Sequence, residues 1–90
     1  IGNEGGAKVA KLLEEMSKSL QVIAITHLPQ IAGKGHSHFF VYKDNTDDKT
    51  ISKMKKLTES ERVQEIAIMI GGQNPTESAI NSAKELLHIK

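Results

Sequence analysis

His27 is the residue in this chain best suited to act on a substrate. It follows the apolar run Val22-Ile23-Ala24-Ile25 and Thr26, and Leu28-Pro29-Gln30 come directly after it. An imidazole ionises near neutral pH and carries two distinct ring nitrogens, so it can donate a hydrogen bond or move a proton. The same position suits a structural hydrogen bond, and spacing alone does not separate the two uses. His36 and His38 form an i, i+2 pair that would share a face on a strand. Zinc normally takes about three or four protein ligands, and no cysteine or nearby carboxylate cluster completes such a set. Two glycine-bearing stretches, Gly5-Gly6-Ala7-Lys8 and Gly33-Lys34-Gly35, invite comparison with a phosphate loop. Neither has the Ser or Thr that must follow a Gly-Lys pair, and glycine more often serves turns. Lys49, Lys53, Lys55 and Lys56 lie along one predicted strand. They could touch a phosphate backbone, but lysines also guard exposed strand edges, and no aromatic residues interleave with them as stacking partners.

The elements that must position these groups can be read from periodicity. Val22 to Thr26 is short and rich in branched residues, the pattern of a strand buried on both faces in the centre of a sheet. Pro29 lacks an amide hydrogen and has a helical φ, so the chain is expected to turn from strand to helix at Thr26-His27-Leu28. In open α/β sheets ligands bind beyond the carboxyl ends of the strands, and His27 stands at that edge. Upstream, Ile1 to Gly6 reads as a turn-like opening. Val9, Leu12, Leu13 and Met16 then mark one face of a helix over 7–18, expected to pack on the sheet. Downstream, the short helix after Pro29 carries Ile31 and Ala32, and Gly33 with Gly35 ends it through permissive backbone positions. Phe39 to Lys43 and Lys49 to Leu57 read as a β-hairpin around the polar turn 44–48.

Thr58-Glu59-Ser60-Glu61 is a capping box opening a helix with Val63, Ile66, Ala67 and Ile70 on one face, which stops at Gly71-Gly72. Asn74 is the expected cap of the last helix, with Pro75 at its first position. Ala79, Ile80, Ala83, Leu86 and Leu87 are its core residues.

Ninety residues allow one small domain with a marginal core. One tyrosine, two phenylalanines and no tryptophan make that core aliphatic. The formal net charge of +1 is too balanced to predict nucleic-acid binding. Absence of cysteine excludes disulfides and thiolate chemistry and fits a cytoplasmic protein. No apolar run is long enough to span a membrane. The chain opens without Met and offers its central-type strand no parallel neighbour, so a longer parent protein is expected. Unpaired edges on that strand predict self-association of the isolated chain.

The string Val22-Ile23-Ala24-Ile25-Thr26-His27-Leu28-Pro29-Gln30-Ile31-Ala32 resembles the switch-histidine (H-loop) segment of ABC-type ATPases of the SMC superfamily, specifically its bacterial DNA-repair members. The likeness continues through His38-Phe39-Phe40-Val41-Tyr42-Lys43, Glu61-Arg62-Val63-Gln64-Glu65-Ile66-Ala67 and Gly71-Gly72-Gln73-Asn74-Pro75-Thr76-Glu77, so it covers nearly the whole chain. The resemblance implies an α/β fold class. Residues 1–90 would be a single C-terminal fragment of an ATPase head, a P-loop NTPase-like lobe with a central buried strand, a β-hairpin and flanking helices.

Ile1-Gly2 would correspond to the tail of the D-loop. His27 would be the catalytic switch that meets the γ-phosphate, with Thr26 and Gln30 orienting the nucleotide-binding loop. ATP and Mg2+ would be cofactors of the complete protein and none of the fragment, because Walker A, Walker B and signature sequences are absent from these residues. The partners implied are the remainder of the head, a second head in an ATP-bridged homodimer, and DNA, with no membrane. The competing reading is a free-standing α/β interaction module with His27 structural and the lysine-rich hairpin contacting a protein or nucleic acid.

Overall fold

The computed structural model describes residues 3–46 and 48–89, and within them every side chain except those of Asn3 and Glu4. The element order is α1 (Asn3–Ser17), α2 (Pro29–Ala32), β1 (Phe39–Thr46), β2 (Lys49–Lys56), α3 (Glu59–Gly71) and α4 (Glu77–Leu87). The result is a small α/β unit in which the described residues form one two-stranded antiparallel sheet.

The α3 helix starts where its capping box predicts. Thr58 Oγ1 accepts from the Glu61 amide at 3.2 Å, and Glu61 Oε1 accepts from the Thr58 amide at 3.0 Å, so two amides that a helix start leaves unpaired are satisfied reciprocally. The helix ends at Gly72, whose φ of 84° is a left-handed value that favours glycine. The α4 helix differs from expectation at its start. Asn74 adopts a positive φ of 56° outside the helix, and Thr76 is the cap, its hydroxyl accepting from the Ala79 amide at 3.2 Å. Asparagine tolerates the left-handed region, so it makes the turn and leaves capping to the next available hydroxyl.

Residues on facing sides of α3 and α4 build the core. Ile66, Ala67, Ala79 and Ala83 are buried, together with Val63, Leu87 and, from α2, Ala32. Ile66 is the large side chain most fully enclosed, and its burial contributes about 2 kcal/mol. The alanines let the two helices approach closely, as does Gly71, where an added Cβ would lie 3.2 Å from the Ala79 Cβ. The short α2 sits in the same cluster. A Cβ on Gly33 would lie 3.0 Å from Leu86 Cβ and 3.1 Å from the Pro29 carbonyl oxygen, so this glycine is required for space. Its φ of −63° is ordinary, which corrects the expectation of a permissive backbone there.

Two further expectations fail together. Residues 21–26 form no regular secondary structure and join no sheet, and Ile23 and Ile25 are 85% and 102% exposed. The two strands that do form satisfy each other, from Phe39↔Lys56 to Thr46↔Lys49, and no described strand pairs with 21–26. Without that buried strand, the face of α1 expected to cover it is open: Leu12 and Met16 are exposed. The helix instead buries Gly6 and Ala10. It also begins at Asn3 rather than after Gly6, and Gly6 packs beneath Leu28, whose Cδ1 would lie 3.5 Å from a Cβ there. Ile1 and Gly2, compared above with a D-loop tail, lie outside the described residues.

The hairpin is longer than predicted. Asp44, Asn45 and Thr46 continue β1, supported by a Lys53–Asp44 ion pair at 2.9 Å and a hydrogen bond from Thr50 Oγ1 to Asn45 Oδ1 at 2.9 Å. Asp47, part of the predicted turn, lies outside the described residues. Phe40 and Tyr42 stack at 6.2 Å on one face, and Lys55 of β2 on that face reaches Glu61 of α3. The Lys55 ammonium and the Thr58 amide hold the Glu61 carboxyl down at about 2, and the same contact raises Lys55.

Gly33→Ala is expected to lower stability by about 1–3 kcal/mol, because both Leu86 and the Pro29 carbonyl must shift to admit a methyl group. Urea unfolding of the two proteins measures this. Glu61 supplies a second test. Its carboxyl is depressed from an ordinary value of 4.5 to about 2, so its contribution is complete above 4.5 and disappears as pH falls towards 2. Glu61→Gln should therefore melt below wild type at neutral pH, and the difference should shrink across that acid range.

Candidate functional site

The switch-loop candidates come from one bend. Thr26 closes the 21–26 segment, and its Oγ1 accepts from the Leu28 amide at 3.0 Å, folding the chain sharply around His27. Leu28 keeps an extended conformation with φ −97° and ψ 121°, as the residue before proline must, and Pro29 opens α2. The Leu28 carbonyl then accepts from the amides of Ile31 at 3.1 Å and Ala32 at 3.0 Å, which fixes the helix start. These constraints present His27 to solvent, and among the described residues no side chain or carbonyl hydrogen-bonds to its ring. Gln30 faces inward, its Oε1 lying 3.9 Å from where a Cβ on Gly6 would stand. The structure thus brings Thr26, His27 and Gln30 together in sequence but gives them different surroundings, and His27 is the one turned outward.

Among the described residues, the exposed ring of His27 is the group in this loop placed to reach a phosphate. Gly5 and Gly6 are inside α1, and Gly33 and Gly35 lie beneath Leu86 and His38, so none of these four glycines forms a loop that cradles an anion. Among the described residues no three His, Asp or Glu side chains come together in a way that could hold Mg2+ or another metal.

The four lysines named above do not share a surface. In the register of the hairpin, Lys49, Lys53 and Lys55 project to the face of Phe40 and Tyr42, whereas Lys56 stands opposite Phe39 on the other face. Lys53 and Lys55 are engaged by Asp44 and Glu61. A stripe of free ammonium groups is therefore not what the strand displays.

Sequence reasoning missed the polar cluster behind the loop. Arg62 of α3 donates from Nε to His38 Nδ1 at 2.7 Å and from Nη2 to the Gly35 carbonyl at 2.9 Å. His38 Nε2 in turn contacts the Ala32 carbonyl at the end of α2. Arg62 can only donate, so Nδ1 accepts and Nε2 carries the hydrogen, which assigns a neutral His38. His36, by contrast, is exposed, so the i, i+2 pair does not act as a unit. One signal was available: Arg62 is the sole arginine among twelve basic residues, and a rigid fork of donors is what lysine cannot replace.

No family profile matches the chain. Similar proteins are found among curated sequences. DNA repair protein RecN of Vibrio cholerae is 45% identical over 87 residues, covering 97% of this chain and 16% of that protein. RecN of Haemophilus influenzae is 42% identical over 89 residues, covering 99% of this chain and 16% of that protein. RecN of Deinococcus radiodurans is 41% identical over 87 residues, or 97% of this chain and 15% of that protein. Matched nearly from end to end in distant bacteria, the chain is a RecN-type sequence, spanning about 16% of the length of the relatives it matches.

Proposed function

We propose that these residues are the C-terminal, switch-histidine part of a RecN-type ATPase head that acts in DNA double-strand-break repair in the bacterial cytoplasm. The observation that carries this reading is His27 itself. It lies in a sequence matched to RecN over almost the entire chain, and it is held outward on a bend whose neighbouring polar groups are turned to structural tasks. An exposed imidazole on a constrained bend loses little conformational freedom when it meets a ligand, which suits a group that must find one phosphate oxygen.

In this proposal His27 donates to the γ-phosphate of ATP and orients the attacking water. A donor aimed at the transferring phosphoryl group stabilises charge as it develops there. Thr26 shapes the bend through its bond to the Leu28 amide, and Gln30 seats the first turn of α2 against α1. The remainder of the head, outside this chain, holds the adenine, the β- and γ-phosphates and Mg2+, and a second head closes over the nucleotide. The ninety residues alone are expected to be inactive. The head fold of a P-loop NTPase belongs to the same proposal, with residues 21–26 as a strand completed by the remainder of the head. Contact with DNA through Lys49, Lys53, Lys55 and Lys56 is also part of it. On the Phe40 and Tyr42 face Lys49 would meet a phosphate first, since Asp44 and Glu61 already engage Lys53 and Lys55, and Lys56 would serve only a contact on the opposite face.

In the complete protein that carries this chain, His27→Ala is expected to lower ATP turnover by about 100-fold, the scale of one oriented donor. Nucleotide binding, measured by equilibrium titration, should stay near wild type. Turnover that survives the substitution unchanged would return His27 to a structural role.

A further inference from the structure

We infer that His38 and Arg62 form a positioning clamp that sets the orientation of the His27 loop from behind. The inference rests on the reading of His27 as the γ-phosphate contact.

The argument starts from the size of α2. Four residues make barely one turn, too little to hold a fixed direction through internal hydrogen bonds. At its far end the amides of Gly33, Lys34 and Gly35 donate to the carbonyls of Pro29, Ile31 and Ala32, which closes the turn but ties it to no other element. Two oxygens in this region, those of Ala32 and Gly35, are taken by side chains from other elements: Ala32 by His38, just ahead of β1, and Gly35 by Arg62 of α3. The two side chains are joined by the Arg62 Nε to His38 Nδ1 bond. The main chain of His38 is also tied down, since its carbonyl accepts from the Leu57 amide at 2.9 Å at the end of β2. A continuous set of bonds therefore runs from α3 and the hairpin to the exit of α2, and Pro29 at the other end of α2 is two residues from His27.

Each member has a specific requirement. The imidazole must accept on one nitrogen and donate on the other, and the guanidinium must donate in two directions at once. A lysine at position 62 could not do both in one plane. Gly35 must lack a side chain, because a Cβ there would stand 3.1 Å from His38 Nε2 and 3.4 Å from the Ala32 carbonyl oxygen. His38 and Arg62 touch no substrate in this scheme. They act through α2.

The test is ATP turnover and nucleotide affinity in the complete protein, with each substitution made alone and combined with His27→Ala. Arg62→Gln and His38→Ala should each lower kcat by about 10- to 100-fold, the effect expected of an ångström-scale misplacement, with ATP affinity retained. His38→Gln, which keeps a donor towards Ala32 and an acceptor towards Arg62, should recover most of the loss. Added to His27→Ala, either clamp substitution should lower kcat no further, since there is no imidazole left to position. Where Arg62→Gln does not yield folded protein, Gly35→Ala applies the same test, because it presses on His38 while leaving every polar group in place. An unchanged kcat, a loss that His38→Gln shares in full, or losses that add to that of His27→Ala would each overturn the clamp. Turnover indifferent to His27→Ala itself would instead overturn the functional reading, and the two failures are told apart by that one variant.

Discussion

The contact between α2 and α4 at Gly33 is the constraint on which the rest of this unit depends. Four residues cannot stand as a helix on their own, so α2 exists because other elements hold it. Gly33 allows the Leu86 region of α4 to come within van der Waals distance, which brings Ala32 into the alanine-lined core. Gly6 does the same on the α1 side, where Leu28 rests against the helix backbone, and Lys34 adds an exposed ion pair to Glu14 of α1 at 3.6 Å. His38 and Arg62 grip the remaining side. Small residues supply proximity on two sides and polar forks supply direction on the third. The bend carrying His27 inherits its position from all of them.

This arrangement divides the chain into two kinds of surface. The α3–α4 pair and the end of α2 form a closed core with few large side chains, so its stability comes from close backbone approach and many small contacts rather than from bulky groups. The hairpin lies outside it, with exposed strands throughout, and is attached at its base through the Leu57 amide, Lys55 and His38. Glu61 belongs to both kinds. It completes the cap of α3 and binds Lys55 of the hairpin with the same carboxylate, so helix initiation and hairpin attachment share one charge.

What could be read from the sequence follows from how local each cause is. The capping box, the hairpin, the proline that opens α2 and the aliphatic faces of α3 and α4 are decided within a few residues and were legible, except that Ile70, expected on the α3 core face, is exposed. Thr76 replacing Asn74 as cap is a local matter too, missed because asparagine serves equally well in a left-handed turn. The strand reading of Val22 to Thr26 failed for a different reason. A strand needs a neighbour to bond with, and Val22-Ile23-Ala24-Ile25 states only that such a neighbour would suit it. The α1 face was misassigned as a consequence, since Leu12 and Met16 were expected to cover that strand. At the candidate site, the turn at Thr26-His27-Leu28 was legible from Pro29, but the sheet edge expected to carry His27 is not formed among the described residues. The Arg62–His38–Gly35 set joins residues 24 and 27 positions apart and leaves no periodic trace.

Ile23 and Ile25 have a thermodynamic corollary. Each presents nearly its whole side chain to water, and covering one would be worth about 2 kcal/mol. A neighbour that covers them binds the folded form and not the unfolded chain, so it raises stability by mass action. The melting temperature of these ninety residues is then no intrinsic constant. It would rise with the concentration of any neighbour that covers these two side chains.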